Sequence, residues 1–378
     1  MKTEILKIIE GGLEKNPEKV RSYAKLVSEK LQSQGEDKFA ERILNILNNK
    51  GAHPVFLDEF MAKPVDTDSR LDMVEITMPD DFSEELILPN TTKIKLESYI
   101  QNIKKRDKFI DLGLNLPESL LLYGPPGCGK TSIAHYISKQ IGLPLVTAKL
   151  DGLVSSLLGS TAKNIRKIFE YAQARPCILF LDEFDAIAKA RNDEHEVGEL
   201  KRVVNSLLQN IDKFNKNSIL IAATNHEKLL DPAVWRRFSN TIEVPKPSQT
   251  EILELLELFT LNMVNNFTND TKKVGVLTKL LEGISPSEIK VICINAMRRS
   301  VLADENTLSY SNLLYQIHLS RSLPLDQVSL VRFLNENGVS QIDVSKTLGI
   351  SQRQVRNILN NKGEDDGGKK EKSSDTNI

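Results

Sequence analysis

Eight consecutive residues constrain this chain more than any others: Gly124-Pro125-Pro126-Gly127-Cys128-Gly129-Lys130-Thr131. They follow an apolar run, Ser119–Tyr123. They lead through Ser132 into Ile133, Ala134, Tyr136 and Ile137, which recur at helical spacing. Strand, glycine loop and helix in that order make a P-loop. Glycines let successive backbone N–H groups turn inward around an anion, and the helix N-terminus adds its dipole. Lys130 would reach the β- and γ-phosphates of a bound nucleotide, and the Thr131 hydroxyl would ligate Mg²⁺. The whole stretch Gly124, Pro125, Pro126, Gly127, Cys128, Gly129, Lys130, Thr131 and Ser132 is expected to line the nucleotide.

A second motif belongs with the first. Ile178-Leu179-Phe180-Leu181 is an apolar strand that ends abruptly in Asp182-Glu183. Ligands of parallel sheets sit at such strand ends. Asp182 would hold the Mg²⁺ shell, and Glu183 would orient and polarise an attacking water. Asp185, in the turn that follows, reads as a helix cap. A third apolar run, Ile219–Ala223, ends in Thr224-Asn225, where Asn225 would hydrogen-bond the water or the γ-phosphate.

These runs, with Leu145–Thr147 and Thr241–Val244, alternate with amphipathic segments over residues 86–250. That alternation marks an α/β fold, a parallel sheet flanked by helices. Residues 251–322 turn purely helical, beginning with Ile252, Leu255, Leu256 and Phe259. Residues 1–51 read as an all-α module, either packed on the rest of the protein or recruiting a partner. Residues 52–85 read as a linker punctuated by prolines, with one short strand within 71–77. Residues 323–362 read as three short helices. The tail, 363–378, has no apolar residue before Ile378 and is expected to be disordered.

Taken together these motifs resemble the AAA ATPases over about residues 86–300. Residues 124–131 look like the family's Walker A loop, 178–183 like its Walker B strand and 222–225 like sensor 1. The entry segment 111–124 is similar to the family's approach to the loop, where backbone near Gly113 borders the adenine. The resemblance implies a P-loop NTPase sheet followed by a helical lid, ATP hydrolysis with Mg²⁺, and a ring of identical subunits, usually six. In such a ring an arginine of one subunit reaches the next subunit's γ-phosphate. The matching residues here are Arg236 and Arg237. Their adjacency leaves both as candidates, with Arg237 the preferred one. Residues 283–289 look like the lid motif near the base. There Ser285 reads as N-cap, Pro286 as the first helical residue and Glu288 as the third. The segment 155–159 aligns with a pore loop in which many translocating members carry an aromatic residue. This chain has Leu157 and Leu158 there, which suits a gentler remodeller or a nucleotide switch better than a processive unfoldase.

Residues 341–360 have the spacing of a helix-turn-helix. Val344, Leu348, Ile350, Val355 and Ile358 are its apolar positions, and Gly349 falls at the turn. The segment resembles the DNA-binding modules of bacterial regulators. Its second helix would present Gln352, Arg353, Gln354, Arg356 and Asn357 to base edges and phosphates. The same three helices would equally serve to dock on protein.

Composition sets outer limits. The 378 residues carry 50 Lys+Arg against 51 Asp+Glu, which excludes a uniformly basic nucleic-acid coat. Three scattered cysteines, Cys128, Cys177 and Cys293, build no disulfide framework or zinc site. No apolar run approaches the ~20 residues of a membrane span, and residues 1–10 lack the apolar core of a signal peptide. A cytoplasmic protein is expected. The main functional reading is an ATPase that remodels or controls a protein partner, with the C-terminal module tethering it to DNA. The other readings are a DNA-bound regulator whose assembly ATP switches, and an ATPase subunit controlling a separately encoded protease or nuclease.

Overall fold

The computed structural model describes residues 2–13, 17–33, 35–48, 63–65, 72–114, 118–150, 158–173, 177–186, 197–214, 219–265, 267–321 and 326–360. The chain divides into two compact units. The first comprises residues 1–86, 90–124 and 130–244, and the second 87–89, 125–129 and 245–378. The tip of the glycine loop therefore groups with the second unit.

The first unit begins with three helices, α1 (Lys2–Leu13), α2 (Pro17–Ser33) and α3 (Asp37–Asn48). Val27, Leu31 and Ala40 form a small core of their own, flanked by Ile8 and Ile43. Ser28 Oγ donates to the Ala40 carbonyl at 2.9 Å and ties α2 to α3. Helix α1 continues through Gly11 and Gly12.

A six-stranded sheet follows, in the order β1-β3-β4-β5-β2-β6. Its strands are β1 (Glu75–Thr77), β2 (Ser119–Tyr123), β3 (Leu145–Lys149), β4 (Ile178–Asp182), β5 (Ile219–Thr224) and β6 (Asn240–Glu243). All pairings are parallel except that of β1, which adds to β3 antiparallel. Strand β1 lies in the stretch read as linker, so that stretch contributes an edge to the sheet. The middle strands have no polar face, because helices cover both sides: every residue of β5 is buried. The helices of this unit after the first three include α4 (Asn90–Lys104), α5 (Arg106–Asp111), α6 (Lys130–Ile141), α7 (Leu158–Gln173), α8 (Val197–Phe214) and the short α9 (Pro232–Trp235). The apolar faces of α7 and α8 meet the sheet through Ile165, Phe169, Leu207, Ile211 and Phe214.

The second unit carries α10 (Gln249–Thr260), α11 (Thr271–Leu280), α12 (Pro286–Leu302) and α13 (Tyr310–Ser320). It is not purely helical. Two-residue strands β7 (Val264–Asn265) and β8 (Thr307–Leu308) pair in parallel, which two-residue runs do not announce in a sequence. Three short helices follow, α14 (Gln327–Glu336), α15 (Gln341–Leu348) and α16 (Gln352–Asn360). Their buried Val331, Leu334, Val344 and Val355 lie in the same core as Ile289, Ile292, Leu313 and Ile317 of α12 and α13. Residues 363–378, read as a disordered tail, lie outside the described residues. No helix among the described residues is long and apolar enough to cross a membrane.

Candidate functional site

Strand β2 delivers the chain to Gly124, where a side chain has no room. A Cβ there would lie 2.3 Å from the Val244 carbonyl oxygen, and φ is 139°. That crowding has a cause: the Val244 N–H donates to the Tyr123 carbonyl at 2.8 Å, extending the β2–β6 ladder past its last strand pair. After the loop, Lys130 opens α6. It is buried, and its Nζ donates to the Gly124 carbonyl at 2.8 Å, so the ammonium closes back over the loop's entry.

Thr131 follows on the same first turn. Its Oγ1 donates to Asp182 Oδ2 at 3.0 Å. The two residues that the sequence assigned to Mg²⁺ therefore meet at one point, although 51 residues separate them. The pairing supplies a hydroxyl and a carboxylate, hard oxygen donors that fit a magnesium ion sharing its shell with phosphates and water. Glu183 comes next, exposed, with φ 52°, and its N–H donates to Asp182 Oδ1 at 2.9 Å. This left-handed backbone turns the chain sharply at the strand end, as non-glycine residues rarely do outside functional turns.

Asp185, read from the sequence as a helix cap, has a role at the neighbouring strand. It is 4% exposed and reaches sideways to the end of β5. Its Oδ1 accepts from Thr224 Oγ1 at 3.3 Å and from the Asn225 N–H at 3.2 Å. The Phe184 N–H donates to the Ala223 carbonyl at 2.8 Å beside it. Asn225 is thus held at a fixed height beside the two acids. The sequence signal for this tether was slight: an acid between two apolar residues, Phe184 and Ala186, in a turn.

His135 stacks on Phe82 with ring centroids 5.7 Å apart. Burial is the largest influence on it and holds its pKa below 6.5, against the opposing pull of Glu75, Glu84 and Asp182.

The two arginines differ. Arg237 is committed within the chain: Nε and Nη2 donate to the two oxygens of Asp212 at 3.2 and 3.3 Å, and Nη1 to the Ala233 carbonyl at 2.7 Å. Arg236, the C-cap residue of α9, is exposed. Asp212 lies on α8, and no sequence pattern links it to residue 237. Gly113 sits in an exposed turn with φ 73°. Leu157 lies outside the described residues, and Leu158 is the first residue of α7.

In the second unit the loop tip meets the start of α12. The Ser287 N–H donates to the Gly127 carbonyl at 3.2 Å. A Cβ on Gly127 would lie 2.2 Å from Ser287 Oγ and 2.8 Å from Ser285 Oγ, so this glycine is required by close approach as well as by its φ of 72°. The helix start itself is built as the sequence indicated. Ser285 caps it, Pro286 is first, and Glu288 Oε2 accepts from the Ser285 N–H at 3.0 Å and the Ser285 hydroxyl at 2.6 Å. Those bonds hold the Glu288 carboxyl below its usual pKa. Cys128 in the loop is buried, with Sγ 3.8 Å from the Pro126 carbonyl. Pro125, Gly129 and Ser132 are partly exposed and Pro126 is exposed.

On α16, all five residues assigned to nucleic acid are exposed. Gln354 is nonetheless occupied: its Oε1 accepts from the Ser351 N–H and hydroxyl, both at 2.9 Å, as the helix cap. Arg356 Nε donates to Gln341 Oε1 at 3.4 Å. Lys346, on the preceding helix α15, pairs with Glu305 at 2.6 Å.

Comparison with known proteins agrees with this geometry. Residues 120–246 match the family model for the ATPase family associated with various cellular activities (AAA). An uncharacterized AAA family ATPase of Sinorhizobium fredii is 39% identical over 231 residues, 61% of this chain and 68% of that protein. Proteasome-activating nucleotidase 1 of Haloferax volcanii is 33% identical over 240 residues, 61% of this chain and 58% of its own. The proteasome-activating nucleotidase of Saccharolobus islandicus is 33% identical over 222 residues, 57% and 56% of the two chains. The chain thus spans about two thirds of the first relative and little more than half of the two nucleotidases.

Proposed function

Because the chain belongs to the AAA ATPases and hydrolyses ATP, we propose that it couples that reaction to remodelling or controlling a protein partner. The observation that carries the reading is the Thr131–Asp182 contact with Glu183 beside it. The similarity to proteasome-activating nucleotidases supports a protein as the partner.

In this reading residues 124–132 enclose the phosphates, Gly113 borders the base, and Lys130 releases the Gly124 carbonyl to meet the β- and γ-phosphates. Thr131 and Asp182 would hold Mg²⁺, which when bound neutralises phosphate charge. Glu183 orients a water and accepts its proton as the water oxygen bonds to the γ-phosphorus. The bond from that phosphorus to the bridging oxygen breaks, leaving ADP and phosphate. Asn225, kept in place by Asp185, supports the same water. The chain assembles with copies of itself, as a ring of six by the family resemblance. Arg236 is then the residue free to reach a neighbour's γ-phosphate, while the Arg237–Asp212 pair fixes the turn that presents it.

The exposed face of α16 favours a second element of the reading, docking of the C-terminal helices on DNA. Gln352, Arg353, Arg356 and Asn357 would make the contacts, with Gln354 restricted to its cap. Leu157 and Leu158 would grip a protein partner through aliphatic contact.

Mixing subunits tests the assembly. Glu183→Gln and Arg236→Ala chains, each inactive alone, should regain ATPase activity when mixed, because one intact Glu183 then faces one intact Arg236. No recovery across mixing ratios, with both chains folded, would sink the shared site.

A further inference from the structure

Helix α12 touches two distant things within the second unit. At its first turn the Ser287 N–H holds the Gly127 carbonyl of the glycine loop at 3.2 Å. Near its last turn Arg299 Nη2 donates to the Thr347 carbonyl, in the final turn of α15. The helix runs uninterrupted for 17 residues, and the two contacts lie roughly 18 Å apart along it. The rod is anchored along its length, since Ile289, Ile292, Cys293, Ala296 and Ser300 are all buried.

The far end is a clamp. The Arg299 guanidinium lies 3.8 Å from the centroid of the Tyr315 ring, which fixes its direction. Two further bonds reach the same turn of α15: Lys346 Nζ to Glu305 Oε1 at 2.6 Å, and Thr347 Oγ1 to Ser311 Oγ at 2.9 Å. Three polar contacts on two consecutive residues exceed what burial requires, because Val344 and Val355 already seat the helices in the shared core. They fall immediately before Gly349, the left-handed residue from which α16 departs. Whatever moves the clamp re-aims α16.

We propose that α12 is a strut through which occupancy of the glycine loop sets the orientation of α16, and with it the readiness of the C-terminal helices for their partner. The inference rests on the reading of the loop as a nucleotide site. Phosphates entering the loop compete for the backbone around Gly127. The start of α12 cannot yield locally, because Ser285 and Ser287 pack against that glycine. The displacement therefore travels along the helix.

Hydrogen exchange on the full chain, with and without a non-hydrolysable ATP analogue and Mg²⁺, tests this at both ends. The wild type should change exchange at residues 285–289 and at 341–357. Arg299→Ala leaves a good helix former in α12 and leaves the shared core intact. It should bind the analogue as before, keep the change at 285–289 and lose it at 341–357. Glu305→Gln, which removes the charge that Lys346 pairs with, should reduce the distal change. Analogue binding with no distal change in the wild type, or a full distal change in both variants, would overturn the strut. Failure of the analogue to bind at all would instead overturn the nucleotide reading on which it stands.

Discussion

Around the strand ends, single side chains decide what the site can do. Arg237 and Arg236 are neighbours in sequence with opposite circumstances, one held by Asp212 and the other exposed. The Arg237–Asp212 pair is partly solvated, with the two side chains 30% and 51% exposed, so its loss should cost under about 1 kcal/mol. Arg237→Ala should therefore leave thermal unfolding nearly unchanged and reduce turnover less than Arg236→Ala, which should lower it by on the order of 1,000-fold. Melting temperature and ATPase rate measured on both variants separate the roles. An Arg237 variant as inactive as the Arg236 variant would return Arg237 to the finger role. The sequence analysis preferred Arg237 of the two arginines, without sight of Asp212, a residue on another helix that holds Arg237 and leaves Arg236 the better candidate. The tie from Asp185 to Thr224 and Asn225 was out of reach for the same reason: it depends on the neighbouring strand.

Elements were legible where one local rule governed them. The four inner strands could be read because burial on both faces leaves continuous apolar runs such as Leu120–Leu122 and Ile219–Ala223. The start of α12 could be read because cap, proline and carboxylate sit at fixed offsets. Strand β1 was expected as one short strand within 71–77, but three residues in a linker gave no sign that they would form an edge of the main sheet. The α12 cap also has a pH signature. Folding lowers the Glu288 pKa, so its contribution is complete above the ordinary carboxylate value of 4.5 and fades as pH falls through the lowered folded value. Glu288→Gln should accordingly destabilise the protein at neutral pH. The gap between variant and wild type should close in acid below that window. Unfolding free energies compared across pH 3 to 7 (about this range spans both carboxylate states) would expose a constant gap, which would show that the cap bonds do not depend on ionisation.

At the scale of the whole molecule, near-zero net charge says little, because acids and bases are paired locally. Lys346 illustrates the point: its charge on the C-terminal helices is met by Glu305. The three C-terminal helices could be read as elements but not as part of the lid. Their apolar residues give no sign of which partners complete the core. Removing them would expose Leu313 and Ile317, so DNA binding is better tested by point substitution. If α16 docks on DNA, Arg353→Ala should weaken binding and lower the slope of log affinity against log salt by roughly one per docked module. A salt slope and affinity identical to the wild type would remove Arg353 from that role. The central claim, however, concerns the pairing of Thr131 with Asp182 and the acid that follows. Its most direct measurement is the steady-state ATPase rate of Glu183→Gln beside its affinity for a fluorescent ATP analogue. The expected result is retained binding with turnover reduced by on the order of 100-fold or more. Unchanged turnover with ATP bound would contradict it.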